Sequence, residues 1–533
     1  MEDKTIKDVK YVARFKVETK TPMSIGSGNK GINVDRLIAR DANGLPWIPG
    51  TALAGIVRHE LNKKEEWAER IEKLFGYQNK NNKNGQGSRI IFGSAALVSS
   101  DGDKVHEGLE VIDFDSNEYY KSLQSLPERD HVRINERGTA VDHAKYLEEL
   151  VPKGVRFVFE IEVEGATEDQ ELWDYMLHCL NHPSFSVGGG TRKGFGQLEI
   201  VDCLTRTYDL KNQEDLKAYL AKSSSLNSGF VGATKWNGNA TDLDQWIHYQ
   251  VSLQPENFFL FGAGVGDLEA DNLPKKEQYF IWTNNKAELS EEQILIPATS
   301  VKGTISHRVA FHYNASKDVG YFIDDIGSPD LDKLQEKISL ANSLNEVDFG
   351  TDLESVATLT SSDTVAQLIS RIENMTVKQT SAWSNLQADM DEQAKVLSVE
   401  ARKTGEDNEA VRALFGFAKE ENGEEDKEDG ARGKVIFSDV YLPMSESAEK
   451  ILNHVAIDRF TGGGIDGALF QEKVVHTKAF TLDMYVEKSA LQDATIKNAF
   501  ESALDDLCHG RLQLGGNSTK GHGAFAGSFT IQS

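Results

Sequence analysis

The amino-acid sequence predicts an α+β protein with two tandem ferredoxin-like domains and a helical insertion in the second. Four short strings recur in the same order in both halves of the 533-residue chain, as expected of a duplicated domain. Within each half, strand-like and helix-like segments follow the order β-α-β-β-α-β. The second half also contains a long helix-like segment without a counterpart in the first.

Each repeated string pairs a motif of the first half with one of the second. The pairs are IPGTALAG at 48–55 with IPATSVKG at 296–303, LFG at 74–76 with LFG at 414–416, HVRIN at 131–135 with HVAID at 454–458, and GGGTRKGFG at 188–196 with GGNSTKGHG at 515–523. One such match would mean little. Four in register indicate two copies of one domain.

These strings set the predicted domain boundaries. The first domain covers residues 1–205 and opens on an alternating strand, YVARFKV at 11–17. A serine-rich linker occupies 206–243, and the second domain covers 244–533. The extra segment, at about 312–405, is predicted to be the helical insertion.

Two further elements follow from local sequence in each copy. Pro49 and Pro297 suit the extended approach to a helix, and Thr51, with Thr299 or Ser300, is predicted to cap the helix that follows. Apolar segments at 89–92 and 434–437 predict strands after the LFG motifs.

Composition is that of a globular protein, with 39% hydrophobic and 27% charged residues. No apolar run approaches the roughly 20 residues that span a bilayer, and no signal core follows the first residues, so we expect a cytoplasmic location. Three widely separated cysteines predict reduced, structural thiols and no zinc site.

The net charge of −26 argues against a nucleic-acid-binding protein. Acidic residues are concentrated, however, in segments such as 420–429, which reads as a solvated loop. The glycine-rich strings near the end of each copy retain basic residues. Charge therefore weakens an RNA-binding interpretation without deciding it.

The ordered set of motifs resembles the RAMP superfamily, the repeat-associated proteins that form the backbone of type III CRISPR effector complexes. The family's PGSSLKG helix start is here PGTALAG at 49–55 and PATSVKG at 297–303. Its LFG motif stands at 414–416, its SD strand at 438–439, and its IDRxTG motif at 457–462, followed by LFQE at 469–472. Two copies in one chain are similar to the double-RAMP fusions of type III-D-like systems.

The resemblance implies a modified RNA-recognition-motif fold that binds crRNA, with other RAMP subunits, a large polymerase-like subunit and a small subunit as partners. It also implies that a β-hairpin thumb from each domain interrupts the guide–target duplex. The matching segments are residues 135–148 and 458–472, whose tips carry small residues. An ordinary hairpin loop would have the same composition.

Some members of the family cleave the paired target RNA with an aspartate in the loop after the first strand, and Asp35 lies in that loop. A carboxylate there could hold Mg²⁺ or another divalent metal, or orient a 2′-hydroxyl for attack on the adjacent phosphate. Asp271 stands nine positions after Gly262, as Asp35 stands nine after Gly26, and Asp267 is its rival. The alternative for each is an ordinary turn aspartate.

Basic residues in the shared motifs are candidate RNA contacts. Glycine-rich backbone beside a cation suits RNA phosphate, and helix N-termini attract anions. The candidates are Arg192, Lys193 and Lys520 in the glycine-rich strings, Arg58 and Lys302 on or near the proline-led helices, and Arg133 and Arg459 in the HVRIN and IDR motifs. Solvated surface charges, or tight turns that need glycine, would give the same sequence.

We therefore expect a crRNA-binding backbone subunit that also cleaves target RNA. One alternative is a scaffold without cleavage activity. Another is a crRNA-processing endoribonuclease with a histidine base, for which the matched pairs His59/His307 and His131/His454 stand in reserve. A duplicated ferredoxin-like enzyme acting on a small molecule would suit the negative charge. The sequence predicts no zinc and no nucleotide cofactor.

Overall fold

A computed structural model describes residues 7–78, 85–135, 138–238, 245–317, 403–417 and 430–532. The predicted helical insertion at about 312–405 lies almost entirely outside these residues. So do the acidic segment 420–429 and part of the first predicted thumb. Among the described residues, no helix is long and apolar enough to cross a membrane.

Eight α-helices are described. They are α1 Gly50–Leu61, α2 Ala68–Phe75, α3 Glu118–Gln124, α4 Gln170–Asn181, α5 Gln213–Leu220, α6 Ala298–Ser316, α7 Glu409–Phe415 and α8 Ala494–Cys508.

The described strands fall in two groups that match the two halves of the sequence. The first group is β1 Val9–Thr19, β2 Tyr77–Gln78, β3 Gly85–Gln86, β4 Ile90–Phe92, β5 Ala96–Leu97, β6 Glu128–His131, β7 Tyr146–Glu149, β8 Arg156–Gly165, β9 Leu198–Asp209 and β10 Thr234–Lys235. The second group is β11 Trp246–Pro255, β12 Lys276–Glu277, β13 Phe280–Thr283, β14 Lys286–Leu289, β15 Gln293–Ile296, β16 Gly416–Phe417, β17 Ala431–Arg432, β18 Val435–Phe437, β19 Val440–Pro443, β20 Ser447–Ile457, β21 Gly464–Thr477, β22 Phe480–Glu487 and β23 Phe525–Gln532.

Each copy is built on an antiparallel sheet with the same strand order. In the first copy the order is β10-β9-β1-β8-β4, with β5 also paired to β8. In the second it is β18-β22-β11-β23, which repeats the order β4-β8-β1-β9 of the first sheet. In both copies the first strand lies inside the sheet: β1 pairs with β8 and β9, and β11 pairs with β22 and β23. The prediction of an α+β protein with two duplicated regions is confirmed.

Each copy also carries a separate two-stranded hairpin, placed in the chain between the second and third sheet strands. In the first copy β6 pairs with β7, and in the second β20 pairs with the longer β21. These hairpins occupy the chain positions of the predicted thumbs. Residues 136 and 137 of the first lie outside the described residues.

Two compact units make up the chain. The first comprises Met1–Gly303, Val435–Ser489 and Leu507–Ser533, and it holds both sheets and both hairpins. Its core collects side chains from β1, β8, α1 and α4. Trp246, Phe280 and Ile436 of the second copy belong to the same buried cluster, so the two copies share one core.

The second unit comprises Thr304–Lys434 and Ala490–Asp506. Asp506 accepts hydrogen bonds from Arg308 (2.5 Å) and lies 2.7 Å from Nε2 of His312. Asn408 caps α7 by accepting from the N–H groups of Ala410 and Val411.

The prediction that Thr51 caps α1 is wrong. The helix begins at Gly50, with Pro49 at the N-cap position and no side-chain cap, so Thr51 lies inside the first turn. The N–H of Gly50 donates instead to Oγ of Ser94, 3.1 Å away beside β4. In the second copy Ala298 N–H donates to Oδ1 of Asp439 at 2.8 Å, so a neighbouring strand again supplies the acceptor. Thr299 and Ser300 likewise lie inside α6.

The three cysteines are free and buried, in agreement with the prediction of reduced thiols. Burial raises the pKa of Cys179 and of Cys203 to about 12.

Candidate functional site

Two loops carry the candidate catalytic aspartates, and the same backbone contacts close both. We call residues 26–38 and 262–274 the Asp loops. An antiparallel bridge joins Gly26 to Ile38 in the first loop, and another joins Gly262 to Pro274 in the second. Each loop follows the first strand of its copy and runs alongside the outgoing strand of the hairpin.

Asp35 and Asp271 are held by that strand in the same way. The N–H of Asp35 donates to the carbonyl of Leu147 at 2.9 Å, and the N–H of Leu147 returns a hydrogen bond to Oδ2 of Asp35 at 3.0 Å. Asp271 makes the same pair of contacts with Gln471, at 2.9 and 2.7 Å. Both aspartates are exposed. The structure therefore gives them equivalent positions, as their equal spacing from the first glycine of each loop predicts.

Asp267, the rival candidate in the second loop, has a different role. Its Oδ1 accepts hydrogen bonds from the N–H groups of Glu269 (2.7 Å) and Ala270 (2.9 Å), which closes a local turn. These backbone hydrogen bonds lower the pKa of Asp267 below its usual value. The carboxylate is engaged in shaping the loop, and this favours Asp271 as the equivalent of Asp35.

We call the pair of hydrogen bonds that holds each aspartate its clamp. A buried glutamate directly follows the strand residue of each clamp. Glu148 follows Leu147 and is 1% exposed, and Glu472 follows Gln471 and is 0% exposed. Nε2 of His131 lies 2.8 Å from Glu148, and Nε2 of His454 lies 2.5 Å from Glu472. Sequence reasoning kept the histidines in reserve and did not select the glutamates. The histidines lie in the matched HVRIN and HVAID strings and Glu472 in the LFQE motif, whereas Glu148 lies outside the matched strings.

Environment fixes the charge of Glu148. Burial raises its pKa, but His131, a 3.0 Å hydrogen bond from Oγ of Ser24, and the charge of Lys193 outweigh burial, so the pKa lies below its usual value. The ionised carboxylate is therefore the resting form near neutral pH.

The two buried glutamates have different polar neighbours besides their histidines. Asn517 donates a hydrogen bond to Glu472, and Nε2 of His522 lies 3.6 Å from it. Glu148 accepts a hydrogen bond from Oγ of Ser24 at 3.0 Å, and Nη1 of Arg36 lies 3.8 Å from it. The first copy has Phe195 where the second has His522, and the Phe195 ring meets His131 edge-on at 5.8 Å. The two sites thus share a plan and differ in the groups that surround the carboxylate.

Lys193 and Lys520, both predicted RNA contacts, lie in the glycine-rich ends and contact matching aromatic rings of the hairpins. Nζ of Lys193 is 4.9 Å from the ring of Tyr146, and Nζ of Lys520 is 4.4 Å from the ring of Phe470. The same rings stack on the histidines, Tyr146 on His131 and Phe470 on His454, both at 4.8 Å. In each copy a lysine, an aromatic ring, a histidine and a buried glutamate therefore form one cluster at the hairpin base.

The glycine-rich ends adopt one backbone conformation in both copies. Left-handed φ angles recur at four matching places: Gly188 (92°), Gly190 (66°), Gly194 (91°) and Gly196 (78°) match Gly515 (91°), Asn517 (58°), Gly521 (86°) and Gly523 (77°). Asparagine is the side chain that best tolerates this region, which explains the one departure from glycine. Between these positions a short 3-10 turn carries Lys193 or Lys520.

Arg192 differs from its neighbours because it is 7% exposed. Its guanidinium lies 3.5 Å from Glu487 and 5.4 Å from the ring of Trp246, both in the second copy. The structure therefore gives Arg192 a role in joining the two copies. Its matching residue, Thr519, is exposed.

The remaining predicted RNA contacts are distributed over helices and hairpins. Arg58 is exposed on α1, with its guanidinium 5.8 Å from the ring of Phe75, and Lys302 is half-buried on α6. Arg133 is exposed beyond β6, and Arg459 is exposed in the turn between β20 and β21. The structure does not bring these four into the hairpin-base clusters.

A buried charge cluster fixes the first hairpin to the second copy. Arg129 on β6 is 4% exposed and binds Glu277 through two hydrogen bonds of 2.6 and 2.5 Å. It also donates to Asp439 at 2.6 Å, and Asp439 is the residue that receives the first N–H of α6. The base of one hairpin and the helix start of the other copy are thereby connected.

The Asp loops offer exposed carboxylates but no preformed metal site. Among the described residues, no cluster of three or more His, Cys, Asp or Glu side chains forms a metal site. The first loop has one exposed carboxylate, Asp35, whereas the second has three, of which Asp267 binds backbone N–H groups and Glu269 binds Lys473. Mg²⁺ commonly binds one or two carboxylates together with phosphate oxygens of its substrate, and this is the arrangement that the residues present could complete.

Comparison with known proteins gives one family. The family described as the RAMP superfamily matches residues 16–199 and 259–526. A cryo-EM structure of type III-B Cmr-beta in the apo state is similar over 37% of this chain and 96% of its own, at 14% identity and a TM-score of 0.28. A cryo-EM structure of type III-B Cmr-beta bound to cognate target RNA has the same coverage, at 15% identity and a TM-score of 0.28. No curated protein sequence matches.

Proposed function

The chain belongs to the RAMP superfamily, and from this premise we propose that it is a crRNA-binding backbone subunit of a type III CRISPR effector complex that cleaves guide-paired target RNA. The observation that carries the proposal is the duplicated clamp on Asp35 and Asp271. Two cleavage sites that share one mechanism require the same group in the same orientation. Backbone N–H groups orient the exposed carboxylates of Asp35 and Asp271 in the same way.

Each copy is, in this proposal, a ferredoxin-like RAMP domain with a hairpin thumb. The strand order β4-β8-β1-β9 and its repeat in the second sheet support the ferredoxin-like domain. The separate hairpins β6–β7 and β20–β21 support the thumbs, since each hairpin lies next to an Asp loop. Guide RNA, target RNA and other effector subunits are the partners.

The RNA-binding surface would run past the two hairpin bases. Lys193 and Lys520 each place an ammonium group over an aromatic ring, so cation and ring could contact phosphate and base together. Several backbone N–H groups of these glycine-rich ends donate to carbonyls of the protein itself, so the lysines would make the phosphate contacts. Arg58, Lys302, Arg133 and Arg459 would extend the contact by charge alone.

The proposed reaction is attack within the target strand. The 2′-hydroxyl of one nucleotide loses its proton as its oxygen bonds to the adjacent phosphorus, and the bond from phosphorus to the 5′-oxygen breaks. The 5′-oxygen gains a proton, so the products are a 2′,3′-cyclic phosphate and a 5′-hydroxyl end. The carboxylate of Asp35 or Asp271 would orient the attacking hydroxyl, because the N–H on its Oδ2 fixes its direction.

Mg²⁺ or another divalent cation, bound between this carboxylate and the RNA, would supply charge stabilisation at the phosphate. The buried Glu148 and Glu472 keep the strand that clamps each aspartate in place through their histidine contacts.

The test is a time course of target cleavage by the assembled complex with each aspartate replaced. Asp35→Ala should remove one cut, Asp271→Ala a second and separate cut, and guide and target binding should remain. Asp267→Ala is the matched control in the same loop, and it should slow the second cut without abolishing it. Chelation of divalent metal should stop both cuts, and the products should carry 5′-hydroxyl ends.

An unchanged cleavage pattern for Asp35→Ala and Asp271→Ala would remove both residues from the mechanism. If the wild-type complex binds target and cuts nothing, the chain is a scaffold.

A further inference from the structure

Both Asp loops present a fully exposed aliphatic side chain at the same position. Ile32 is 102% exposed and lies three residues before Asp35, and Leu268 is 106% exposed and lies three residues before Asp271. A single exposed aliphatic residue is common on protein surfaces and needs no explanation. Two exposed aliphatic residues at the same position of a duplicated site do need an explanation, because the solvent-facing tip of a loop gives neither a packing partner.

The loops hold these side chains on a firm support. The N–H of Gly31 donates to the carbonyl of Val34 at 2.8 Å, and the N–H of Asp267 donates to the carbonyl of Ala270 at 2.9 Å. Each hydrogen bond closes the chain around the aliphatic residue. Val34 and Ala270 are buried, which anchors the loop between the tip and the aspartate.

The distance from tip to aspartate is short. Three residues of chain span at most about 10 Å, so the aliphatic group lies beside whatever substrate the carboxylate touches. The aspartate end is fixed by the strand clamp. Tip and carboxylate are therefore parts of one rigid segment.

A second apolar group of each site lies on the hairpin, again at matching places. Val132 and Val455 are 50% and 51% exposed, directly after the histidines of the hairpin-base clusters. Val132 directly follows β6, which pairs with β7, and β7 clamps Asp35. Each site thus has exposed apolar side chains on both its loop and its hairpin.

We infer that Ile32 and Leu268 are substrate-positioning residues, each of which packs against the face of an unstacked target nucleobase next to the scissile phosphate. Leucine and isoleucine are among the side chains that proteins insert between base steps. A small apolar loop tip matches one planar base, whereas a protein partner needs a contiguous interface of about 800 Å² on each side. This inference rests on the proposed function.

The positioning has a chemical purpose. Attack by a 2′-hydroxyl requires the oxygen, the phosphorus and the departing 5′-oxygen to lie nearly in line. A stacked helical strand does not offer that geometry, so the nucleotide must leave the stack and be held there. The aliphatic side chain at the loop tip, in the same segment as the orienting carboxylate, would hold the unstacked nucleotide.

The test uses the whole complex with guide RNA and target strands that carry 2-aminopurine at single positions around each mapped cut. Ile32→Ser should lower the fluorescence of one unstacked base and slow the first cut by about tenfold or more, as expected for loss of one buried aliphatic side chain. Leu268→Ser should do the same at the second cut only. Ile32→Leu should retain both signals.

Val111→Ser is the matched control, because Val111 is 103% exposed on the first copy and lies outside the Asp loops. It should change neither signal. Unchanged fluorescence and cleavage in both loop variants would overturn the inference, as would loss of a protein subunit from the complex with the base signals intact. If the wild type cuts nothing, cleavage is refuted, and the fluorescence alone still decides the base contact.

Discussion

Glu148 is a charged side chain with almost no contact with water, and its environment makes it a pH-sensitive support for Asp35. Its ionised form is favoured because His131, Ser24 and Lys193 together outweigh the cost of burial. The strand that it stabilises is the one whose N–H directs the aspartate. The free energy of folding and the geometry of the site therefore depend on the same carboxylate.

The pKa of Glu148 predicts how the stability of the protein changes with acid. A carboxyl whose pKa is depressed in the folded state stabilises the fold above its unfolded pKa of about 4.3, and this contribution is lost as pH falls through the lower folded value. Glu148→Gln should cost about 1–3 kcal/mol at pH 7, and the difference from wild type should shrink below about pH 4. Urea denaturation across this pH range measures it, and a pH-independent difference would contradict the assignment.

Sequence reasoning reached some residues of the site and missed others for identifiable reasons. Asp35 was accessible because the resemblance places a cleaving aspartate in its loop, and Asp271 because the loop spacing repeats. Asp267 looked equally suitable, since only coordinates reveal that its carboxylate is bound to backbone N–H groups. Arg192 has the sequence context of Lys193, but the packing of Trp246 and Glu487 from the other copy buries it.

At the scale of elements, backbone conformation explains the glycine-rich ends better than charge does. The matching left-handed residues fold each end tightly against its neighbouring strands, which places Lys193 and Lys520 over the aromatic rings. The recurrence of these strings predicted matched turns. It did not predict that the helix starts would be capped by Ser94 and Asp439, because capping from another strand depends on tertiary contacts.

Two glycines with the same φ separate backbone strain from steric contact. Gly196 and Gly108 both have φ of 78°, but a Cβ at Gly196 would lie 1.9 Å from the carbonyl oxygen of Val187, whereas one at Gly108 would meet nothing within 4 Å. Gly108→Ala should cost about 1–2 kcal/mol, and Gly196→Ala at least about 2 kcal/mol more. Thermal unfolding of the two variants measures the difference, and equal losses would mean that the turn can open.

At the scale of the whole molecule, the two copies are joined by a core and by charge. Phe280 and Trp246 enter the buried cluster of the first copy, while Arg129 reaches Glu277 and Asp439 of the second. The repeats in the sequence predicted two domains and a linker. They could not predict a shared core, because which residues of the two copies meet depends on tertiary packing.

Removal of Arg129 should show how much this joint contributes. Arg129→Met leaves two buried carboxylates without their cation, and breaking a buried pair in this way typically costs about 3–5 kcal/mol. Lys121→Met is the control, because the ion pair of Lys121 with Glu118 is exposed and should contribute less than about 1 kcal/mol. Equal denaturation midpoints for both variants would show that the core alone holds the copies together.

If both hairpin bases bind one RNA strand, as proposed, the joint also determines how that strand leaves the protein. Once a strand is bound at one hairpin base, the other base competes for it at an effective concentration that is commonly millimolar, since both belong to one covalent and packed body. Departure then requires both contacts to open together, so residence time grows much more than either local affinity. Replacing Lys193 or Lys520 alone would shorten the time that the strand occupies one hairpin base, while the strand would stay bound at the other.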